Sequence, residues 1–117
     1  MAVPDHMTPP APIVIRLPGE IDVTNAGEVL SLITGTLSSG AAVIIADLTD
    51  TRFCDSAGLR HLLLAHRHAA RAGPQLRLVI LPDGPVGRVI KLTGVSHHVP
   101  VYSSVRLAIG GGPPPPS

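Results

Sequence analysis

The sequence predicts an α/β domain: a small mixed β-sheet with about four helices, in the order β-β-α-β-α-β-α-β-α. Three observations predict it. Short β-branched apolar segments alternate with longer stretches whose apolar residues recur every three or four positions, the pattern of layered strands and helices. The 117 residues are 44% hydrophobic and 15% charged, enough for one domain with a real core and too apolar for a disordered chain. The 12 glycines and 13 prolines are a high share, yet eight of the prolines fall near the ends, at Pro4, Pro9, Pro10, Pro12 and Pro113 to Pro116. The chain therefore divides into a Pro-rich tail over 1–12, a domain over 13–109 and a Gly/Pro tail over 110–117.

Ile13 to Leu17 (IVIRL) is a short β-branched strand. Pro18-Gly19 punctuates it as a turn, and Glu20-Ile21-Asp22 follows as a second strand in a hairpin-like pair, which makes the sheet mixed. Asn25 with Glu28 has capping-box spacing, and Ala26, Val29, Leu30, Ile33 and Leu37 form an apolar stripe on a helix over about 25–38. Ala42 to Leu48 (AVIIADL) is nearly all apolar, as expected for a central strand covered on one face. Thr49 to Asp55 is a connection. A second helix spans about 56–72, with Leu59, Leu62, Leu63, His66 and Ala70 inward and Arg60, Leu64, Arg67, His68 and Arg71 outward. Arg77 to Leu81 is a strand, Pro85 starts a helix that Gly94 stops, Val99 to Tyr102 is the last strand, and Ser103 or Ser104 caps a helix through Ile109.

Composition excludes several functions. Apolar runs reach about six residues, against the ~20 that a membrane-spanning helix needs. The first twelve residues lack the basic start and apolar stretch of a signal peptide, so a cytoplasmic location is the default expectation. Cys54 is the single cysteine, which excludes an internal disulfide and a thiolate zinc site. A formal charge of +1 and two aromatic residues, Phe53 and Tyr102, argue against direct nucleic-acid binding. The charge is nonetheless split: residues 1–58 sum to −5 and residues 59–117 to +6. This reads as complementary charge between two halves of the fold, or alternatively as two surface poles.

The chemistry concentrates in Asp47 to Leu59 (DLTDTRFCDSAGL). An apolar strand ends, an acidic loop follows and a helix begins, so Ser56 falls at a helix N-terminus, a place suited to an anion. Ala57 and Gly58 are small enough to let a bulky group approach. The plain structural alternative is that Asp55 or Ser56 is only an N-cap. Cys54 adjoins an apolar strand end and reads as a buried, inert thiol sooner than a redox sensor. The spacing of His61, His66 and His68 does not suit metal ligation from one helix face.

Four segments in order resemble the STAS domain family, specifically the small bacterial anti-sigma factor antagonists: Leu17-Pro18-Gly19-Glu20-Ile21-Asp22, Ala46-Asp47-Leu48, Phe53-Cys54-Asp55-Ser56-Ala57-Gly58-Leu59 and Leu92-Thr93-Gly94-Val95. They run from Leu17 to Val95, and the resemblance is taken to cover about 13–109. Where the family usually reads Asp-Ser-Ser-Gly this chain has Asp55-Ser56-Ala57-Gly58, so the serine that the family phosphorylates maps to Ser56. The resemblance implies a single STAS domain and a partner switch. The unphosphorylated antagonist binds an anti-sigma factor serine kinase of the GHKL type and releases a sigma factor; phosphorylation of Ser56 ends the binding, and a PP2C-type phosphatase restores it. It implies no enzyme, cofactor, metal or membrane. The expected partner surface is Glu20, Asp22, Thr24, Asp55, Ser56, Ala57, Gly58, Leu59 and Arg60, joined by Leu64, a lone apolar residue on the outer face of the second helix.

Two other functions fit the same residues. A stand-alone STAS subunit of a stress-sensing or transporter assembly would keep the fold and lose the kinase. A small serine hydrolase would use Ser56, with Asp83 and His97 following in chain order, although Cys54 stands where the nucleophile elbow has its first glycine.

Overall fold

A computed structural model describes residues 10–111; most of the two expected tails, 1–9 and 112–117, lies outside the described residues. Strands β1 (Ile13–Arg16), β3 (Val43–Asp47), β5 (Gln75–Val79) and β6 (Val101–Tyr102) form a four-stranded sheet in the order β1-β3-β5-β6, and every pair is parallel. Two further strands, β2 (Glu20–Ile21) and β4 (Phe53–Cys54), make a separate parallel pair. The helices are α1 (Ala26–Thr34), α2 (Ser56–Ala72), α3 (Pro85–Thr93) and α4 (Val105–Gly110), with a 3-10 turn over Val95–His97.

The α/β class and the four helices are as the sequence predicts, but the sheet is parallel and not mixed. Pro18-Gly19 does not fold β2 back onto β1. Leu17 N–H still donates to Asp47 O on β3, at 2.9 Å, and the chain then steps into the second sheet. There the acidic loop is the partner. Gly19 O accepts from Arg52 N at 2.7 Å and Phe53 N at 3.3 Å, and the Thr51 hydroxyl donates to Pro18 O at 2.8 Å. The stretch expected to be a plain connection thus contains β4, a strand too short to show alternation.

The core lies mainly on one face of the larger sheet. Ile44, Ala46, Leu76 and Leu78 point to α1 and α2, which bring Val29, Ile33, Leu62, Ala65 and Ala69. Ile45 and Val79 point the other way, to Tyr102 and Ala108 of α4. Strand β3 is therefore covered on both faces, not one. The inward face of α2 is Gly58, Leu59, Leu62, Ala65 and Ala69. Ala70 is exposed, while Leu63 and His66 are half-buried. Small residues take the central positions because α2 packs closely against α1 and β5. Helix α1 stops at Thr34, four residues short of the expected end, with Gly35 to Ser38 forming turns. Gly94 ends α3 in the left-handed conformation, φ 75°, where a side chain would be strained.

Among the described residues no salt bridge joins the two halves of the charge. The salt bridge found among the described residues, Arg16–Asp50 at 3.9 Å, joins two exposed side chains of the acidic half. No close ion pair between the halves is therefore found among the described residues.

Candidate functional site

The site forms where β2 and β4 end and α2 begins. The parallel register pairs Ile21 with Cys54, so the residues that follow, Asp22 and Asp55, leave the small sheet side by side. Asp55 N–H donates to Ile21 O at 3.1 Å, which fixes the two strand ends together. Asp55 is the N-cap of α2, in extended conformation, and its carboxylate accepts from Gly58 N–H at 2.9 Å. Ser56 is then the first helical residue. It is exposed, and its hydroxyl makes no hydrogen bond among the described residues. The cap, which the sequence left open between these two residues, is Asp55.

Asp22 and Thr24 are tied into a short turn. The Asp22 carboxylate accepts from the Thr24 backbone N–H at 2.9 Å and from the Thr24 hydroxyl. These bonds, the hydroxyl first, hold the Asp22 carboxyl below its ordinary range. Asn25 does not cap α1 with its side chain, as the capping-box spacing predicts. Instead its amide donates to Glu20 O at 2.8 Å and its oxygen accepts from Asp22 N–H at 2.9 Å, so it splints the turn after β2. Asp47, at the end of β3, is nearly buried and accepts from the Thr49 backbone and hydroxyl at 3.0 and 2.8 Å; its role is to shape the loop.

The other expected partner residues separate by burial. Glu20, Thr24 and Arg60 are exposed, and Ala57 and Leu64 are half-buried; Leu64 belongs to neither core cluster. Gly58 and Leu59 are buried, so they underlie the surface instead of forming it. The smallness of Gly58 serves packing, not the approach of a bulky group: a Cβ there would lie 2.7 Å from Cys54 Sγ and 2.8 Å from Ile21 Cγ2. Two exposed apolar residues were not legible as part of the site, Val23 at 77% and Phe53 at 51% exposure. Phe53 faces solvent on β4 opposite Glu20. A single inside–outside step, Phe53 then Cys54, was the only sequence signal for it.

Cys54 is buried, and burial together with the neighbouring Asp55 charge pushes its thiol up to about 11. At pH 8 the native chain will resist iodoacetamide, and alkylation will become rapid only in denaturant; mass spectrometry of timed samples checks this. Asp55→Ala removes the cap and orphans Gly58 N–H, which will cost about 1 kcal/mol in urea unfolding. Neither Asp83 nor His97 is hydrogen-bonded to Ser56 among the described residues, and His61 Nδ1 is engaged at 2.8 Å with Ala57 O. The described residues contain no group of three potential metal ligands and no helix long and apolar enough to cross a membrane.

A comparison with curated proteins finds no match. Among solved structures, the chain is similar to an anti-sigma factor antagonist from Mycobacterium paratuberculosis, with 23% identity, TM-score 0.73 and coverage of 84% of this chain and 82% of that one. It is also similar to the anti-sigma factor antagonist SpoIIAA in its unphosphorylated form, with 21% identity, TM-score 0.61 and 86% of each chain covered. The phosphorylated form of SpoIIAA, a Bacillus cell fate determinant, gives 25% identity and TM-score 0.58 over 90% of this chain and 93% of that one. The STAS domain family profile matches residues 4–108, which takes in both sheets, α1 to α3 and the Asp55–Ser56 turn. The chain belongs to the STAS domain family.

Proposed function

We propose that this protein is an anti-sigma factor antagonist switched by phosphorylation of Ser56. In the unphosphorylated form it binds an anti-sigma factor that is also a GHKL-type serine kinase, in the cytoplasm, and so frees a sigma factor. The kinase then transfers the γ-phosphoryl group of ATP to Ser56 Oγ; ADP leaves, the hydroxyl proton is lost and the complex dissociates. A PP2C-type phosphatase hydrolyses the ester and resets the protein. The chain itself catalyses nothing in this cycle.

The observation that carries the reading is the division of labour at the start of α2. Asp55 supplies the cap, so the Ser56 hydroxyl is unengaged among the described residues, exposed and held at a fixed point at the start of a helix. A hydroxyl needed only for capping would be engaged with Gly58 N–H. The likeness to a structure solved in unphosphorylated and phosphorylated forms supports the same reading. A partner surface fitted to a neutral hydroxyl meets, after transfer, a group of about −1.5 to −2 charges beside Asp22 and Asp55.

The direct test incubates the chain with each kinase-type anti-sigma factor of its source organism and ATP, and maps the product by tandem mass spectrometry. One phosphate on Ser56 is expected, and none on Ser56→Ala. Phosphate confined to Ser103, Ser104 or the tails, or no transfer from any of these kinases, overturns the proposal.

A further inference from the structure

We propose that Arg60 is the internal counter-ion of a phosphate on Ser56, closing an ion pair between positions i and i+4 of α2 when the switch is thrown. The inference rests on Ser56 being the phosphoacceptor. A dianion there enters ground already held by negative charge, because Asp55 precedes it and Asp22 directly follows the strand alongside. The backbone answers only part of it: the N–H groups of Ser56 and Ala57 have no acceptor among the described residues, but the next two are taken. Gly58 N–H is committed to the Asp55 carboxylate at 2.9 Å and Leu59 N–H to the Asp55 carbonyl at 3.0 Å. The helix start supplies about half an elementary charge against the roughly −1.5 to −2 of a phosphate, so the remaining compensation falls to a side chain.

Arg60 is the basic side chain one turn along from Ser56. Residues so spaced are neighbours on a helix face, with Cβ atoms about 5–6 Å apart, and acid before base is the favourable order. Arg60 is exposed, and its guanidinium takes part in no salt bridge or hydrogen bond among the described residues. Its planar fork matches two phosphate oxygens. Arg67 stands eleven residues from Ser56, about 16 Å along the axis, and is out of reach. His61 is the other cationic candidate nearby, and its Nδ1 is already bonded to Ala57 O.

The pairing changes more than one group on the surface. Before phosphorylation Arg60 heads an outward stripe of Arg60, Leu64, Arg67 and Arg71, spaced i, i+4, i+7 and i+11. The clasp withdraws the leading guanidinium from that stripe and turns it back on the phosphate. A partner reading the stripe then loses a cation and gains an anion in one step.

The test needs no kinase. Phosphoserine is incorporated at position 56 during translation, and the phosphate is titrated by phosphorus NMR in the wild-type background and in Arg60→Gln and Arg67→Gln. Pairing favours the dianion, so Arg60→Gln will raise the second ionisation midpoint by about 0.3 pH unit or more, while Arg67→Gln leaves it in place. Thermal melts will show both variants folded, since glutamine is a good helix former at an exposed site. Equal midpoints with and without Arg60 overturn the clasp, and so does an equal rise from Arg67→Gln, which would reduce the effect to a general field. The kinase assay above reads the phosphoacceptor assignment separately: either experiment can fail while the other succeeds.

Discussion

Gly58→Ala will melt well below the wild type, and Gly27→Ala will melt at or above it. Both glycines are helical, and in an open helix alanine stabilises by up to about 1 kcal/mol relative to glycine. At Gly27, on the exposed side of α1, a Cβ meets nothing within 4 Å. At Gly58 the Cβ would lie 2.7 Å from Cys54 Sγ, 2.8 Å from Ile21 Cγ2 and 3.1 Å from Ile21 O. Cys54 and Ile21 are 5% and 0% exposed, on paired strands, so neither has room to withdraw. Overpacking of this kind costs about 1–3 kcal/mol, more than the helix propensity returns. In a domain of this size each kcal/mol moves the midpoint by roughly 4–8 °C. Differential scanning calorimetry of the two variants decides it; a Gly58→Ala midpoint equal to or above wild type would show that α2 does not sit against β2 and β4 as described.

The same glycine marks what the sequence could and could not show. Long elements were legible in extent: α2 over 56–72, the apolar run of β3 and the stop at Gly94 appear where the residues place them, although only Leu59 and Leu62 of the stripe expected on α2 are buried. Elements of two residues were not. Phe53–Cys54 carries one inside–outside step, and a strand defined by a partner more than thirty residues away has no local signature. For the same reason Pro18-Gly19 looked like a hairpin turn. The dipeptide does change the chain's direction, but the choice between pairing back and crossing to a second sheet is made by Thr51, Arg52 and Phe53. Ser56 was legible as a helix start beside acids. That Asp55 takes the cap and leaves the hydroxyl of Ser56 free is a matter of side-chain geometry, and only the structure separates the two roles. The charge split could not be turned into ion pairs from the sequence, because which half a charge lies in carries no information on distance, and the pair found among the described residues, Arg16–Asp50, lies within one half.

On the proposed partner switch, Ser56→Asp will lose far more affinity for the anti-sigma kinase than Ser56→Ala, at equal fold stability. Alanine removes a hydroxyl that is not hydrogen-bonded within the described chain, so any loss is confined to a hydrogen bond across the interface, about 1 kcal/mol or less. The alanine variant cannot accept phosphate and should hold the kinase constitutively with ATP present. Aspartate places a charge at the first turn of α2, where the helix dipole favours it, so the fold is not weakened. Under the same proposal its carboxylate adds to Asp22 and Asp55 a further negative charge where the partner would bind. Like charges juxtaposed at an interface cost several kcal/mol, which for the full phosphate is on the order of a thousandfold in Kd. Aspartate carries half or more of that charge and fewer acceptor oxygens, so a loss of about ten- to a hundredfold is expected, with the phosphorylated protein weaker still. Calorimetric titration of all three forms against the kinase with a non-hydrolysable nucleotide, alongside thermal melts, reads both quantities. Equal affinities for Ser56→Asp and Ser56→Ala, with both folded, would mean that charge at position 56 does not operate the switch.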